Sequence, residues 1–249
     1  MFIAVLSCNA IDFACDFKFE AWAIIDRVYE CKVHDFESLT VNQTISKASG
    51  IHAKGNNDNN VHALHMFGQK CYFLPDNIHK VFNNLEGILI AYAGLKKIST
   101  TDLQNFPELL ILMLPNNDIE ILEQDLFKFN TQLRAFVINH NKIKHIAHRV
   151  FQINSLTKIF IYKNVCIDSV AVNKDRIKDL EKEMMESCAP KKVQKPKVKT
   201  ETELRFEKIE GKLTSLEGVM VKNFDVLFVQ LGNIEKSIEV KNGKATANL

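Results

Sequence analysis

Residues 109–119 read LLILMLPNNDI, and the same arrangement of apolar residues returns at a fixed distance on both sides. Residues 85–95, which begin 24 positions earlier, read LEGILIAYAGL, and residues 133–143, which begin 24 positions later, read LRAFVINHNKI. A further copy begins at Leu156, and a fainter first copy begins at Val61. The chain therefore contains five units of one repeated structural element.

Each unit has the features of a short strand followed by a sharp bend. Apolar residues alternate with others over three positions, so that alternate side chains point to opposite faces. One such unit cannot bury its own apolar side, but stacked neighbours bury a continuous core. An asparagine follows three of the strands, where it can bond backbone groups that the bend leaves unpaired. In the second half of the units, three larger residues fill the convex side in register: Leu103, Phe127 and Phe151.

The repeated pattern L-x-x-L-x-L-x-x-N-x-L resembles the leucine-rich repeat of the extracellular, 24-residue type, over residues 61–188. The resemblance implies an α/β fold, a short horseshoe-shaped solenoid with a parallel sheet. We place the repeats at 61–165, an amino-terminal cap at 11–60 and a carboxy-terminal cap at 166–190.

Apart from Cys8, which lies in the apolar residues 1–10, four cysteines flank the repeats, two on each side. An open-ended solenoid exposes its core at both ends and needs caps there. We therefore expect one disulfide between Cys15 and Cys31 and another between Cys166 and Cys188, each stabilising its cap by about 3 kcal/mol. Metal binding is the alternative, but no C-x-x-C pair accompanies these cysteines. Disulfides favour an oxidising compartment, and so we predict a secreted, extracellular protein.

The remaining cysteine and histidine residues do not indicate a metal site or a catalytic centre. Cys71 occupies a core position of its repeat, where we expect a buried free thiol. His140, His145 and His148 are close in sequence, but strand, turn and convex positions separate them. The sequence contains no G-x-S-x-G, P-loop or H-E-x-x-H motif. We predict a protein that is not an enzyme and has no cofactor.

The amino-terminal region carries two features of secreted proteins. Residues 1–10 read MFIAVLSCNA, an apolar stretch with a small-x-small ending that we interpret as a secretory signal peptide. It is short and has no basic residue, so a truncated start or a buried first strand remains an alternative. Residues 42–44 form a glycosylation sequon at Asn42. Within the cap, we expect three short strands, near 17–19, 29–33 and 39–41.

Beyond the repeats, we predict one capping helix and then a linker and a tail. The helix runs from Lys174 to Ser187 and has apolar residues at helical spacing. Residues 191–203 are rich in lysine and proline and form the linker. Residues 204–240 carry apolar residues in steps of three and four, which predicts a coiled-coil helix that joins another chain in a homo- or hetero-oligomer. Folding back onto the solenoid and disorder are the alternatives.

The concave face of the sheet is the candidate binding surface. The outward-facing residues between the strand leucines form a first column across the repeats, His65, Leu89, Met113, Val137 and Phe160. The residues two positions later in each repeat form a second column, Phe67, Ala91, Pro115, Asn139 and Tyr162. A one-sided sheet normally turns polar residues outward, so this apolar stripe predicts a surface that a partner covers. High strand propensity of such residues is the alternative explanation. The predicted binding residues are Leu89, Tyr92, Met113, Arg134, Val137, His140, Phe160 and Tyr162, with Lys158 and Lys163 also on the polar rim.

The charge and hydropathy of the chain limit the classes of partner that it is expected to bind. The net charge is +2 with 25% charged residues, so no strong field indicates a nucleic-acid partner. No apolar run approaches the ~20 residues of a membrane-spanning helix. We predict that the partners are proteins, and the candidate classes for this chain include an extracellular-matrix or adhesion protein and a cytosolic scaffold.

The order of repeats, cap cysteines and heptad tail resembles the secreted leucine-rich immune proteins of mosquitoes and related flies. That resemblance implies disulfide-linked pairing through the tails, binding of complement-like partners and a role in innate immunity. This chain departs from the family in having few repeats and a single recognisable tail helix.

Overall fold

A computed structural model of the chain describes residues 10–22, 24–189 and Lys212. The predicted linker, the tail apart from Lys212 and residues 1–9 of the predicted signal peptide lie outside the described residues. In chain order, the described elements are β1 (Ala10–Ala21), β2 (Arg27–His34), β3 (Glu37–Ser38), β4 (Thr44–Ser49), a 3-10 turn (Asp58–Asn60), β5 (Ala63–Phe67), β6 (Lys70–Cys71), α1 (Ile78–Val81), β7 (Gly87–Ala91), α2 (Thr100–Leu103), β8 (Ile111–Met113), β9 (Ile121–Leu122), β10 (Ala135–Val137), β11 (His145–Ile146), β12 (Lys158–Phe160), β13 (Val170–Ala171) and α3 (Lys174–Ser187).

One strand from each repeat joins the main sheet, whose order is β13-β12-β10-β8-β7-β5-β2-β1-β4. Six neighbouring strands of this sheet run parallel, namely β2, β5, β7, β8, β10 and β12. Parallel strands are expected for a chain that returns to the same place after each unit. Their register joins equivalent positions of successive repeats, which are Leu64, Ile88, Leu112, Phe136 and Ile159. The predicted α/β solenoid with its parallel sheet is confirmed.

A ladder of three asparagines, at Asn117, Asn141 and Asn164, holds the bends after β7, β8 and β10. The Asn117 Oδ1 atom accepts hydrogen bonds from the N–H groups of Ala93 at 3.1 Å and Leu95 at 3.0 Å, and its Nδ2 atom donates to the Ile90 carbonyl at 2.7 Å. Asn141 and Asn164 make equivalent bonds to the units before them. These bonds satisfy backbone groups inside the core, where an unpaired group is costly.

The bend also fixes an unusual backbone conformation just before the position that holds the asparagine in the last three repeats, and Gln69 or Ala93 in the first two. The residue at that position has a positive φ in every repeat, between 54° and 69°, in Gly68, Tyr92, Asn116, His140 and Lys163. Such a conformation is uncommon for residues other than glycine and asparagine. Its recurrence at Tyr92 and His140 shows that the repeat geometry, and not the local residue, determines the turn.

The amino-terminal cap is a continuation of the sheet. β1 and β2 form an antiparallel hairpin, β4 adds to its outer edge, and β2 pairs in parallel with β5. The sheet therefore extends beyond the predicted boundary at Val61. The predicted disulfide between Cys15 and Cys31 joins the two strands of the hairpin and is confirmed. Ala10, the last residue of the predicted signal peptide, belongs to β1.

The third strand predicted for this cap was misplaced. Residues 39–41 lie in a turn, in which Leu39 and Val41 are exposed, and Asn42 follows in the left-handed conformation with a φ of 63°. The Gln43 side chain accepts a hydrogen bond from the Thr40 N–H group and closes this turn. Strands lie on either side of this turn, at β3, which pairs in parallel with β6, and at β4, which pairs in parallel with β1.

The carboxy-terminal cap closes the other end of the core. Helix α3 has the predicted bounds and buries Ile177, Leu180 and Met184, while the Asn173 side chain accepts a hydrogen bond from the Arg176 N–H group at its start. The predicted Cys166–Cys188 disulfide is confirmed. A short antiparallel strand that the sequence analysis did not predict, β13, completes this edge of the sheet.

Candidate binding surface on the concave sheet

The predicted apolar stripe lies in a single row across the sheet. In the parallel register Leu89 is the partner of Met113, Met113 of Val137, and Val137 of Phe160. Neighbouring strands stand about 4.8 Å apart, so the row is continuous over four repeats. All four side chains are partly exposed, whereas their neighbours on the opposite face of the sheet are buried. We call this row the concave stripe.

The second predicted column is less exposed than we expected. Ala91 and Asn139 are buried, with 3% and 7% of their surface exposed, because these short side chains lie beside bulkier neighbours in the column. Phe67 of this column is exposed, and so is Tyr92, which follows Ala91 along the chain. They are 55% and 58% exposed, and their rings pack against each other with centroids 5.1 Å apart. This aromatic pair lies where strands β5 and β7 end.

Polar side chains border the concave stripe on the carboxy-terminal repeats. Arg134, Lys158 and Lys163 are exposed, and the His140 ring meets the Tyr162 ring edge-on with centroids 5.6 Å apart. The predicted polar rim therefore exists as a set of accessible cationic and aromatic groups. An apolar centre with a polar border is the general arrangement of protein-binding surfaces.

At the amino-terminal end of the stripe, the turn between β1 and β2 brings Trp22 over the sheet. A Cβ atom at Gly87 would lie 2.8 Å from the Trp22 ring, so the absence of a side chain at Gly87 lets the indole approach the strand. The other repeats have alanine or a larger residue at this position, namely Ala63, Ile111, Ala135 and Lys158. The sequence analysis did not assign Trp22 a role. Gly87, the only glycine at this position of the five repeats, could have indicated that a large side chain packs against the strand there.

Trp22 forms one wall of a pocket of ≈370 Å³ whose other residues include Leu89 and Met113 of the concave stripe. A buried carboxylate, Glu30, also lines this pocket and is only 1% exposed. The Trp22 indole N–H donates a hydrogen bond of 2.9 Å to Glu30 Oε2. The other carboxylate oxygen, Oε1, has no hydrogen-bond partner among the described residues.

Nearby donors keep this buried carboxylate ionised. Burial by itself raises the pKa of Glu30, but the rings of His65 and Trp22 and the Lys18 ammonium together lower it further than burial raises it. The pKa of Glu30 therefore lies below its usual value. At neutral pH the pocket contains a negative charge that is almost completely removed from water.

Other groups in the described part of the chain are structural. Cys71 is a free, buried thiol as predicted, and desolvation raises its pKa to about 12, so the thiol stays protonated and unreactive at neutral pH. Between residues 10 and 189 the structure contains no group of three or more acidic, cysteine or histidine residues placed to hold a metal ion. No helix in that part of the chain has the length and apolar character needed to cross a membrane.

The fold and this surface define a class, that of solenoid proteins built from 24-residue repeats with a partly apolar concave sheet. No protein-family model and no curated protein matches the chain. Among the solved structures, 24 chains match. One is a crystal structure of a TLR13–ssRNA13 complex, with 18% identity and a TM-score of 0.40 over 49% of this chain. The match spans 18% of the length of that protein.

Proposed function

We propose that this chain is a secreted, non-enzymatic protein-binding module that uses the concave face of its solenoid, and that it acts in innate immune recognition. The observation that supports binding is the concave stripe, an apolar row over four parallel strands with accessible polar groups beside it. Large exposed apolar surfaces on folded proteins commonly mark interaction sites. The assignment to immune recognition rests on the resemblance of the repeats, cap cysteines and heptad tail to the family named above.

Secretion is supported by three features of the chain. The two cap disulfides are stable in an oxidising compartment, residues 1–10 have an apolar signal-like composition, and Asn42 of the sequon is exposed in a turn. A cytosolic scaffold of the same fold would instead keep the four cap cysteines reduced. Thiol titration of the native protein from its source separates these two proposals, and a glycosidase-sensitive mass at Asn42 would support secretion further.

Substitutions in the concave stripe test the proposed surface. We expect Met113→Glu and Phe160→Glu each to abolish partner capture from extracellular fluid, because a charge replaces an apolar contact at the interface centre. Truncation of such an anchor commonly costs about 2 kcal/mol or more, roughly a thirtyfold loss of affinity. The melting temperature should change little, because both side chains are partly exposed and lie outside the solenoid core.

Leu112→Ala is the matched control for this experiment. Leu112 neighbours Met113 in the same strand but points into the core and is fully buried. This change should lower the free energy of unfolding by about 2–5 kcal/mol, while any folded protein still captures the partner. If every partner is retained by both glutamate variants, the concave surface is not the binding site. An extracellular-matrix or adhesion role is the second candidate, which capture of matrix proteins alone would favour.

A further inference from the structure

The pocket beside Trp22 has an incomplete set of hydrogen bonds. The Glu30 Oε1 atom is buried and makes no short hydrogen bond in the described part of the chain. The nearest side-chain nitrogen atoms are His65 Nδ1, at 3.5 Å, and Lys18 Nζ, at 3.7 Å. Both contacts are longer than an ordinary charge-assisted hydrogen bond, so a ligand that supplied a closer donor here would bind favourably.

The Lys18 ammonium does not complete this site. It forms a closer ion pair with the exposed carboxylate of Glu20 and is itself 40% exposed. Lys18 and Glu20 together contribute no net charge, whereas Glu30 contributes one negative charge. The pocket therefore has a net charge of about −1 when His65 is neutral.

The walls of the pocket suit an apolar stem next to a cation. Trp22 provides an aromatic ring, and Leu89 and Met113 provide the aliphatic surface. Lysine and arginine side chains have this composition, with methylene groups that pack on apolar surfaces and a cationic head. Aromatic rings, tryptophan above all, attract such cations in addition.

We propose that this pocket receives a lysine or arginine side chain of the protein partner, with Glu30 as the acceptor of its cationic head. The proposal rests on the proposed concave binding surface and adds the chemistry of the partner residue that enters it. Leu89 and Met113 belong both to this pocket and to the concave stripe, so the cationic side chain would anchor a partner at the amino-terminal end of the stripe.

Trp22 makes a direct measurement feasible because it is the only tryptophan of the chain. Fluorescence of the full chain is recorded during titration with Nα-acetyl-lysine N-methylamide, and separately with the neutral Nα-acetyl-norleucine N-methylamide. We expect the lysine compound to shift the emission saturably, with a dissociation constant in roughly the millimolar range for so small a ligand. The norleucine compound has a similar stem without the charge, so we expect at least about a tenfold weaker response from it.

Two variants and one control assign the effect to the pocket. Glu30→Gln keeps the shape of the side chain but removes its charge, and should weaken binding of the lysine compound by about tenfold or more. Leu89→Phe is the second variant, because the larger ring fills the pocket without changing the Glu30 carboxylate. Phenylalanine is chosen over tryptophan because a second indole would add its own fluorescence to that of Trp22. Glu120→Gln is the control, because this exposed carboxylate pairs with Lys144 outside the pocket. A thermal melt of each variant identifies any that fails to fold.

The possible outcomes separate this proposal from the proposed function. An equal response to the lysine and norleucine compounds, or an unchanged affinity in Glu30→Gln, would overturn the assignment. Binding of free n-butylammonium without binding of the blocked lysine would assign the pocket to small amines and overturn it as well. If the pocket proposal is overturned in this way while Phe160→Glu still abolishes partner capture, the proposed concave binding surface is still supported. If the lysine compound binds as expected while Phe160→Glu captures every partner, the pocket proposal is supported and the concave stripe is not the binding surface.

Discussion

Single residues within the bends determine much of the stability of this solenoid, and Asn117 tests this at one position. Asn117→Ala would leave the N–H groups of Ala93 and Leu95 and the Ile90 carbonyl without their side-chain partner. Buried groups without hydrogen bonds cost about 1–3 kcal/mol each, so we expect the free energy of unfolding to fall by about 2–4 kcal/mol. Chemical denaturation followed by circular dichroism measures this loss.

Asn154→Ala is the matched control, because Asn154 is exposed and the change there should stay within about 0.5 kcal/mol. Equal denaturation midpoints for Asn117→Ala and Asn154→Ala would contradict the structural role of the asparagine ladder.

At this scale, the sequence predicted the residues that every repeat shares, and it missed those that occur once. The asparagines and core leucines could be assigned because the same structural role recurs about every 24 residues. Glu30 and Trp22 could not be assigned from the sequence, because their burial depends on how the β1–β2 turn folds across the sheet. Ala91 and Asn139 were expected to be accessible, but the size of their neighbours in the column buries them.

Among the elements, the carboxy-terminal cap allows a test of how the solenoid end is held. The disulfide between Cys166 and Cys188 joins residues 22 positions apart and closes a loop that contains all of α3. In the chain-entropy model, its loss lowers stability by about 3 kcal/mol. We expect the double variant Cys166→Ser, Cys188→Ser to unfold at a lower temperature, and proteolysis to remove α3 before it cuts the repeats.

The double variant Cys15→Ser, Cys31→Ser is the natural comparison. Its cysteines join paired strands of a hairpin with a separation of 16 residues, so a loss of similar size is expected, with proteolysis beginning at the other end of the chain. Identical cleavage patterns in the two variants would show that the caps do not act independently.

Elements with strong internal periodicity were the ones that the sequence predicted well. The bounds of α3 follow from apolar residues spaced for one buried helical face, which is a local property. β4 depends on pairing with β1, which is distant in sequence, and β13 has only two residues, so neither strand leaves much local signal. The same dependence explains why β1, predicted as a short strand near residues 17–19, extends over 12 residues.

For the whole molecule, we expect the predicted tail to determine whether the protein acts alone or as an oligomer. Residues 204–240 carry an apolar stripe of heptad type, and no second helix adjacent in sequence was predicted to cover it. We expect the full chain to sediment as an oligomer and a variant that lacks residues 204–249 to sediment as a folded monomer. A full chain that sediments as a monomer would exclude self-association and leave a heterologous partner, folding back or disorder.

The parallel part of the main sheet ends in an antiparallel strand on both sides, at β1 and at β13. Neither end therefore offers the kind of surface on which another identical unit could stack. Growth by duplication of coding sequence is consequently restricted to the interior, where an extra unit of 24 residues would separate the caps without altering either one. An extra unit inserted after β8 would therefore lengthen the solenoid without changing the residues that line the pocket beside Trp22.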